Sequence, residues 1–586
     1  MKRVAQPYRS EVVGGKGSVF YRAHSYHTKV PPEGIVRMIE HYTKAGDVVV
    51  DPFCGSGMTG VACLQTGRTG VLSDLSPAAV HIASGYAAAT DTVEFGADAQ
   101  ALLDALAPLE RELYGTRCAH CSGAARIEYT VWSDSLDCPS CAHRIRFWDA
   151  AKQPDGTLSK TLRCPRCATT FRKREATLEA AVPVLVSVSC THCRRRDQRP
   201  LTKRELTAAL RPRRSGIEDW YPTAPFENWR EMWRGQHRTL GIHTAADFFT
   251  DRNLCALAAV WRRANESPQR AMLRFAVTAV VNRASRRYQW NPKRPTNVLS
   301  GTLYVASLTY EFNVFSLLRR KLAAVGQLVS ALADAPGRCT VTQASAAGLH
   351  HLESGTVDYV FTDPPFGANI YYSDASFLWE SWLDDFTPTA DEAVVSTSLP
   401  VEHGAKTLQD YEKLMATSFS EVARVLKPRA WASVMFHNSD DAVWSALERA
   451  LESADLRLES AVAFDKTQPS FKGIKQITDH ERVSSFDLVL HLRAARTGKR
   501  RTPVGAKTFP RDALVAAIAT HLTSAAARRR TTPYIHSFVM RTLLEAGCPL
   551  TGYSYRDVES LLGEHFVLAD GTWNSPTPRV TKRGTT

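Results

Sequence analysis

Three groups of residues in this sequence have types and spacings that could do chemistry. The first is a corner. In VDYVFTDPPFGANIYYSD, residues 357–374, the apolar run Val357, Tyr359, Val360, Phe361 meets Asp363-Pro364-Pro365-Phe366. The run reads as a short buried strand. Two successive prolines must stop it, because they remove two backbone donors and fix two φ angles. One carboxylate, one carbonyl and one aromatic face are then held rigidly at a strand end. Taken alone, Asp and Pro together more often mark a turn with a solvated acid than a site.

The second group lies in AGDVVVDPFCGSGMTGVACLQTGRTGVLSDLSP, residues 45–77. A β run ends at Asp51-Pro52-Phe53-Cys54-Gly55-Ser56-Gly57, Met58 to Gln65 reads as a helix, and a second strand ends at Asp74. Strand, Gly-rich turn, helix and strand ending in an acid make a nucleotide-binding βαβ half. Gly55 and Gly57 let the backbone approach a ligand, and Asp74 would accept hydrogen bonds from ribose hydroxyls. The third glycine is Gly60, so a dinucleotide fingerprint is met only loosely. GGKGS (14–18) lacks Walker A spacing, which leaves phosphoryl transfer without support.

The third group is cysteine. Eight of thirteen form Cys-x-x-Cys pairs: Cys118/Cys121, Cys138/Cys141, Cys164/Cys167 and Cys190/Cys193. A two-residue gap lets both thiolates of a knuckle face one metal, and two knuckles complete a tetrahedral four-sulfur zinc site. Gaps of 16 residues between the first two pairs and 22 between the last two suit two ribbons in tandem, holding two zinc ions. With every ligand a cysteine, both sites would be structural. The N-terminus lacks the apolar core of a secretory signal, which argues against a disulfide framework.

Elements on either side extend the pattern. DPFCGSG and TDPPF together resemble the two signature motifs of S-adenosylmethionine-dependent methyltransferases acting on exocyclic amines of DNA bases, adenine N6 or cytosine N4. HTKVPPEGIVRMIEHYTKAGDVVVDPF (27–53) resembles their lead-in helix and strand, EVARVLKPRAWASVMFHN (421–438) a later helix and strand, and SFDLVLHLRA (485–494) a final strand. The resemblance covers roughly 230 residues, about 20–90 and 335–495. It implies an α/β Rossmann-like methyltransferase sheet. Asp51, Phe53, Gly55 and Gly57 would cradle the methionine end of the cofactor, with Asp74 on the ribose and Thr28 and Lys29 nearby. The acid usual on the third strand is missing from CTVTQASAAGL (339–349), where Gln343 or Ser345 would substitute. Asp363 and the Pro364 carbonyl, braced by Pro365, would bind the target amine, with Phe366 stacking on a flipped-out base. Tyr371 and Tyr372 either line that pocket or pack in the core.

The implied reaction is methyl transfer to adenine N6 in DNA. Cytosine N4, an RNA base, and a non-catalytic nucleic-acid-binding scaffold are the alternatives. Restriction-linked, anti-phage and regulatory roles all stay open, with other subunits of a restriction or anti-phage system as candidate partners. No apolar run reaches membrane-spanning length, so no membrane partner is expected and a cytoplasmic location is the default. The net charge is +14, and residues 142–214 hold 18 Lys/Arg against 6 Asp/Glu, densest in FRKRE, CRRRDQR and RPRR. Localised positive charge is the footprint of a polyanion binder.

We therefore expect residues 1–110 and 336–495 to form the two parts of the methyltransferase domain. Between them, 111–215 would carry the basic ribbons and 216–335 a helical, target-reading insertion. In the latter, Arg283, Arg286, Arg287, Tyr288, Trp290, Lys293 and Arg294 make a candidate phosphate-and-base strip. The aromatic, basic stretch 220–242 either contacts nucleic acid or packs on the body. Residues 496–586 begin with a basic linker and end in a small domain, either helix-turn-helix or winged-helix-like or a plain helical cap.

Overall fold

The computed structural model describes residues 4–576 save 11, 14, 16, 89–90, 154, 292–301, 397–398, 437, 439, 466–485, 495–507, 549–551 and 554. Its centre is an eight-stranded sheet: β1 (Val12–Val13), β2 (Val48–Asp51), β3 (Thr69–Asp74), β4 (Arg338–Gln343), β5 (Val357–Thr362), β6 (Leu426–Phe436), β7 (Leu456–Asp465) and β8 (Phe486–Ala494). Their spatial order is β1-β7-β8-β6-β5-β2-β3-β4, and only β8 runs antiparallel to its neighbours. This is a Rossmann-like α/β sheet of the methyltransferase kind. Helix α1 (Pro32–Tyr42) leads into β2, α2 (Met58–Thr66) joins β2 to β3, and α3 (Pro77–Ala87) follows β3.

Successive residues of a strand point to opposite faces, so a sheet covered on both sides reads as continuous apolar runs. Val49, Tyr359, Phe361, Met435 and Val489 feed one core, which merges with the insertion through Phe275, Phe315 and Trp382. Val50, Val360, Val434, Phe436 and Leu490 feed the other, closed by the helices 408–425 and 441–453 and the C-terminal helices.

The insertion builds a second sheet. Ala124–Asp137 pairs along its length with Thr177–Cys190, and Arg196–Arg199 extends one edge. Leu308–Phe312, from the stretch expected to be helical, pairs with 129–133 on the other edge. Ribbons and helical segment thus share one sheet. Arg252, on the helix 251–266, lies wholly inside, bonded to Glu311, which also accepts from the Trp132 indole at 2.9 Å.

At the C-terminus, helices 511–524, 532–545 and 555–565 precede a small hairpin, 567–569 with 572–574. Ile535, Val539 and Leu543 bury the middle helix in the second core, so this region caps the sheet. Its third helix carries Asp557, Glu559 and Glu564 against Arg556, a charge unsuited to phosphate. The basic linker before it, 495–507, lies outside the described residues. Among the described residues no helix is long and apolar enough to cross a membrane.

Candidate active site

The site forms where β2, β3 and β5 end side by side. Asp51 is almost fully buried and accepts three hydrogen bonds. The Phe53 amide (3.2 Å) and the Thr362 hydroxyl (2.9 Å) donate to Oδ1, and the Thr59 hydroxyl (2.6 Å) donates to Oδ2. Thr362 immediately precedes Asp363. One carboxylate therefore ties the end of β2, the start of α2 and the end of β5 at a common level. Burial pushes the Asp51 carboxyl up to about 7 despite these donors.

Gly55 and Gly57 hold φ of +47° and +75°, the left-handed region in which a side chain is strained. A Cβ at Gly57 would stand 2.7 Å from the Cβ of Ala83 on α3, so the loop packs against that helix with no room to spare. A Cβ at Gly55 would stand 3.0 Å from the Tyr26 ring. The Asp74 carboxylate is oriented by the Gly55 amide on Oδ2 and the Ser76 amide on Oδ1, each at 2.9 Å. Burial raises it to about 6, with the backbone donors opposing. Each carboxylate oxygen keeps acceptor capacity for a diol.

These residues border a cleft of about 730 Å³, lined by Phe53, Gly55, Asp74, Ser345, Asp363 and Pro365 among others. A smaller recess continues inward past Thr28, Asp51 and Asp363. The donor set suits S-adenosylmethionine: an acid at the β3 end for a ribose, a side-chain-free loop for backbone approach, and carboxylates near a cationic centre. Gln343 is exposed on β4 and does not line the cleft; Ser345 does, its hydroxyl accepting from the Ala347 amide at 3.2 Å.

The Asp-Pro-Pro-Phe corner is braced from behind. The Tyr411 hydroxyl donates to the Pro365 carbonyl at 2.7 Å, and the Asn438 amide donates to the Phe366 carbonyl at 2.9 Å. Pro364 is buried. Phe366 packs edge-on against Phe436, centroids 5.0 Å apart, and does not line the cleft. Tyr372 does line it, bonded to the Thr28 hydroxyl at 3.2 Å and stacked on Tyr26. Burial and then the Asp363 carboxylate push its phenol well up. Tyr371 packs at the edge of the first core. The two tyrosines thus divide: one at the cleft, one in packing.

Several residues here carried no sequence signal. Glu380, buried on the helix Phe377–Leu383, accepts from the Ser76 hydroxyl at 2.8 Å and the Thr387 hydroxyl at 2.5 Å. It joins the rim beside Asp74 to the loop across the cleft. Asn438, by contrast, closes the FHN run that the family resemblance already covered. Asp374, two residues beyond Tyr372, accepts from the Arg230 guanidinium (2.9 Å) and the Met232 amide (2.8 Å). The stretch 220–242 packs on the body through this joint.

Three expectations need correction. Lys29 does not face the cleft: its ammonium is buried and donates to the Phe20 carbonyl (2.8 Å), the His24 carbonyl (3.1 Å) and the Tyr86 hydroxyl (2.7 Å). It staples the N-terminal segment to α3. Over its described residues, 283–291, the strip is not a continuous open contact surface. Arg287 and Trp290 are buried, Arg287 donating to Asn282 and the Thr302 carbonyl, and Arg286 donates to the Asp247 carbonyl. Arg283 is exposed but lies over the Tyr288 and Phe312 rings. Lys293 and Arg294 lie outside the described residues.

The cysteines are nested, not tandem. Cys118, Cys121, Cys190 and Cys193 form one tetrad, and Cys138, Cys141, Cys164 and Cys167 the other, with all four sulfurs of each within 4.8 Å of one another. The antiparallel pairing of 124–137 with 177–190 forces this, because it brings the first and last knuckles to one end of the ribbon and the middle two to the other. Gap lengths alone could not show it. Each tetrad has the donors and spacing of a closed metal site.

The site thus joins a Rossmann-like sheet, an acid and a glycine turn at one strand end, and Asp-Pro-Pro-Phe at the next. Residues 6–85 match the model of the N6/N4 DNA methylases, described simply as DNA methylase. Over that segment the chain is similar to the N6/N4 DNA methylases. The type II methyltransferase M.MjaII of Methanocaldococcus jannaschii is 35% identical over 54 residues, 9% of this chain and 10% of that protein. The chain thus spans about a tenth of that relative's length. A SAM-dependent methyltransferase from Methanosarcina mazei is 10% identical, covering 29% of this chain and 76% of that one, with a TM-score of 0.16. A mutant 16S rRNA (adenine(1408)-N(1))-methyltransferase from Catenulisporales acidiphilia is 12% identical over 30% of this chain and 75% of that one, with a TM-score of 0.17.

Proposed function

We propose that this protein transfers a methyl group from S-adenosylmethionine to the N6 amine of adenine in DNA. The observation that carries the reading is Asp51. Its bonds to Thr59 and Thr362 fix the glycine turn and the Asp363 corner on adjacent strand ends around one cleft. Bound there, the cofactor supplies an electrophilic methyl. Asp74 orients its ribose, and the Gly55–Gly57 turn admits its methionine end.

An exocyclic amine is a poor nucleophile because its lone pair is delocalised into the ring. Asp363 and the Pro364 carbonyl accept its two hydrogens, favour pyramidal nitrogen and aim the lone pair, so catalysis is by position and electrostatics. The Tyr411 and Asn438 bonds keep the corner from moving when it takes up the base. Phe366, turned from the cleft onto Phe436, would stack on the base only after rotating toward it, whereas Tyr372 already lines the cleft. Each tetrad would hold one structural zinc ion.

The test is tritiated S-adenosylmethionine with duplex DNA, single-stranded DNA and RNA, followed by nucleoside mass spectrometry. We expect N6-methyladenine in duplex DNA. Asp363→Ala should lower the rate on the order of 10²-fold or more, with cofactor binding retained. N4-methylcytosine would move the substrate within the family. Label confined to RNA, or no label despite cofactor binding, would overturn the reading.

A further inference from the structure

Arg287 and Trp290 of the strip are buried, so its described part offers no continuous cationic face, and an exposed cationic surface elsewhere is the stronger candidate for DNA contact. The hairpin Thr161–Arg163 with Thr170–Arg172 is two-faced. Leu162 and Phe171 pair with each other and point into a small core with Cys138, Cys164, Leu136 and Ile145. The opposite face carries Arg163 and Arg172, Arg166 sits in the knuckle that forms the turn, and Lys160 and Arg174 flank the strands; all five are exposed. None of them forms an ion pair among the described residues. The neighbouring cations differ: Arg144 pairs with Asp137, Arg146 with Asp149, and Lys173 with Asp134. Glu175, the acid of the same turn, is held by the Arg172 amide at 2.9 Å. A four-thiolate zinc site beneath adds two negative charges, which leaves the face cationic.

The two ends of the ribbon are about 45 Å apart for strands of 14 residues. The outer end is tied to the helices 92–114 and 314–332 through Arg126, Glu110 and Arg319. The inner end leads instead toward the cleft. Trp148 packs on Trp290, Lys173 bonds to Ser307, the Leu303 carbonyl contacts His237, and the Arg230–Met232 stretch holds Asp374 beside Tyr372.

We infer that this inner-tetrad hairpin, through Arg163, Arg166 and Arg172, grips the phosphates of duplex DNA while the target base occupies the cleft. The inference rests on the proposed function for its substrate class. A rigid β-hairpin on a metal knuckle presents cations with little loss of freedom, and phosphate contacts position without reading sequence.

The experiment measures duplex binding against salt by fluorescence anisotropy, with full-length protein. Neutralising three phosphate contacts should make the slope of log Kobs against log salt shallower by about 2 to 3. R163A/R166A/R172A should also weaken binding at least about tenfold at about 0.1 M salt, with metal content and S-adenosylmethionine affinity unchanged. R194A/R195A/R196A, at the outer end, should keep the wild-type slope. An unchanged slope in the inner variant, or the loss appearing in the outer one, overturns the inference while wild-type methylation of duplex leaves the function standing. Wild-type protein that neither binds nor methylates duplex DNA overturns both.

Discussion

Asp74 and Asp51 are both acids at strand ends, yet their surroundings give them opposite tasks. Asp74 faces the cleft, and on the proposed function only its ionised form would accept both ribose hydroxyls. With its carboxyl raised to about 6, cofactor affinity should climb as pH rises through that value and level off above it. Calorimetric titration at successive pH values checks this, and Asp74→Asn should flatten the curve at a weaker affinity. Asp51, buried at the inner recess and raised to about 7, acts chiefly on the fold. In the folded chain it holds its proton above the ordinary carboxylate range, so the native state binds more protons than the unfolded one. Stability from this group is full below about pH 4 and is lost as pH rises through about 7. Asp51→Asn should therefore show a smaller fall in Tm between about pH 5 and 7.5 than wild type. The sequence marked both acids by their strand-Asp-turn setting. It could not separate ligand from brace, because the hydroxyls that seal Asp51 come from Thr59 and from Thr362, some 300 positions away.

At the scale of elements, the knuckles show where reading by spacing stops. Cys-x-x-Cys is a local geometry, and each of the four knuckles is built alike. The residue after the second cysteine, Ser122, Ala142, Ala168 or Arg194, is left-handed, with φ between 54° and 60°. At three of them its amide closes onto the carbonyl of the first cysteine, as Ala142 does on Cys138 at 2.9 Å. Pairing of knuckles is long-range and was set by a hairpin whose length the gaps do not encode. Nested pairing has a distinct metal count. Cys118→Ser with Cys190→Ser damages one tetrad and should leave about one zinc per chain by elemental analysis; Cys118→Ser with Cys138→Ser damages both and should leave none. Tandem pairing would give the reverse. Because a left-handed residue with a Cβ is strained, Ala142→Gly should raise stability by roughly 1 kcal/mol, seen as a higher Tm. In the strip, Arg287 and Trp290 are buried for a related reason: arginine and aromatic interleaving looks the same whether it faces solvent or fills a seam between helix and sheet.

Across the whole molecule, the insertion and the loop that follows the Asp-Pro-Pro-Phe corner meet at Arg230 and Asp374, whose side chains are 11% and 5% exposed. The guanidinium also stacks over Phe377, so it belongs to the core as much as to the ion pair. Asp374 lies two residues from Tyr372, and the Met232 amide shares its carboxylate, so the position of the loop depends on the insertion being seated. Removing one partner of such a pair strands a buried charge and costs about 3–5 kcal/mol. Arg230→Ala should therefore lower both Tm and the methyl-transfer rate, the latter by about tenfold or more, while leaving cofactor affinity within about twofold, since Asp74 and the glycine turn are anchored on other strands. Arg230→Ala with Asp374→Ala separates the two effects. With no stranded carboxylate, Tm should recover most of the loss, but the rate should not, because the loop still lacks its anchor. Recovery of both together would mean that Arg230 serves stability alone and that the insertion does not set the geometry of the cleft.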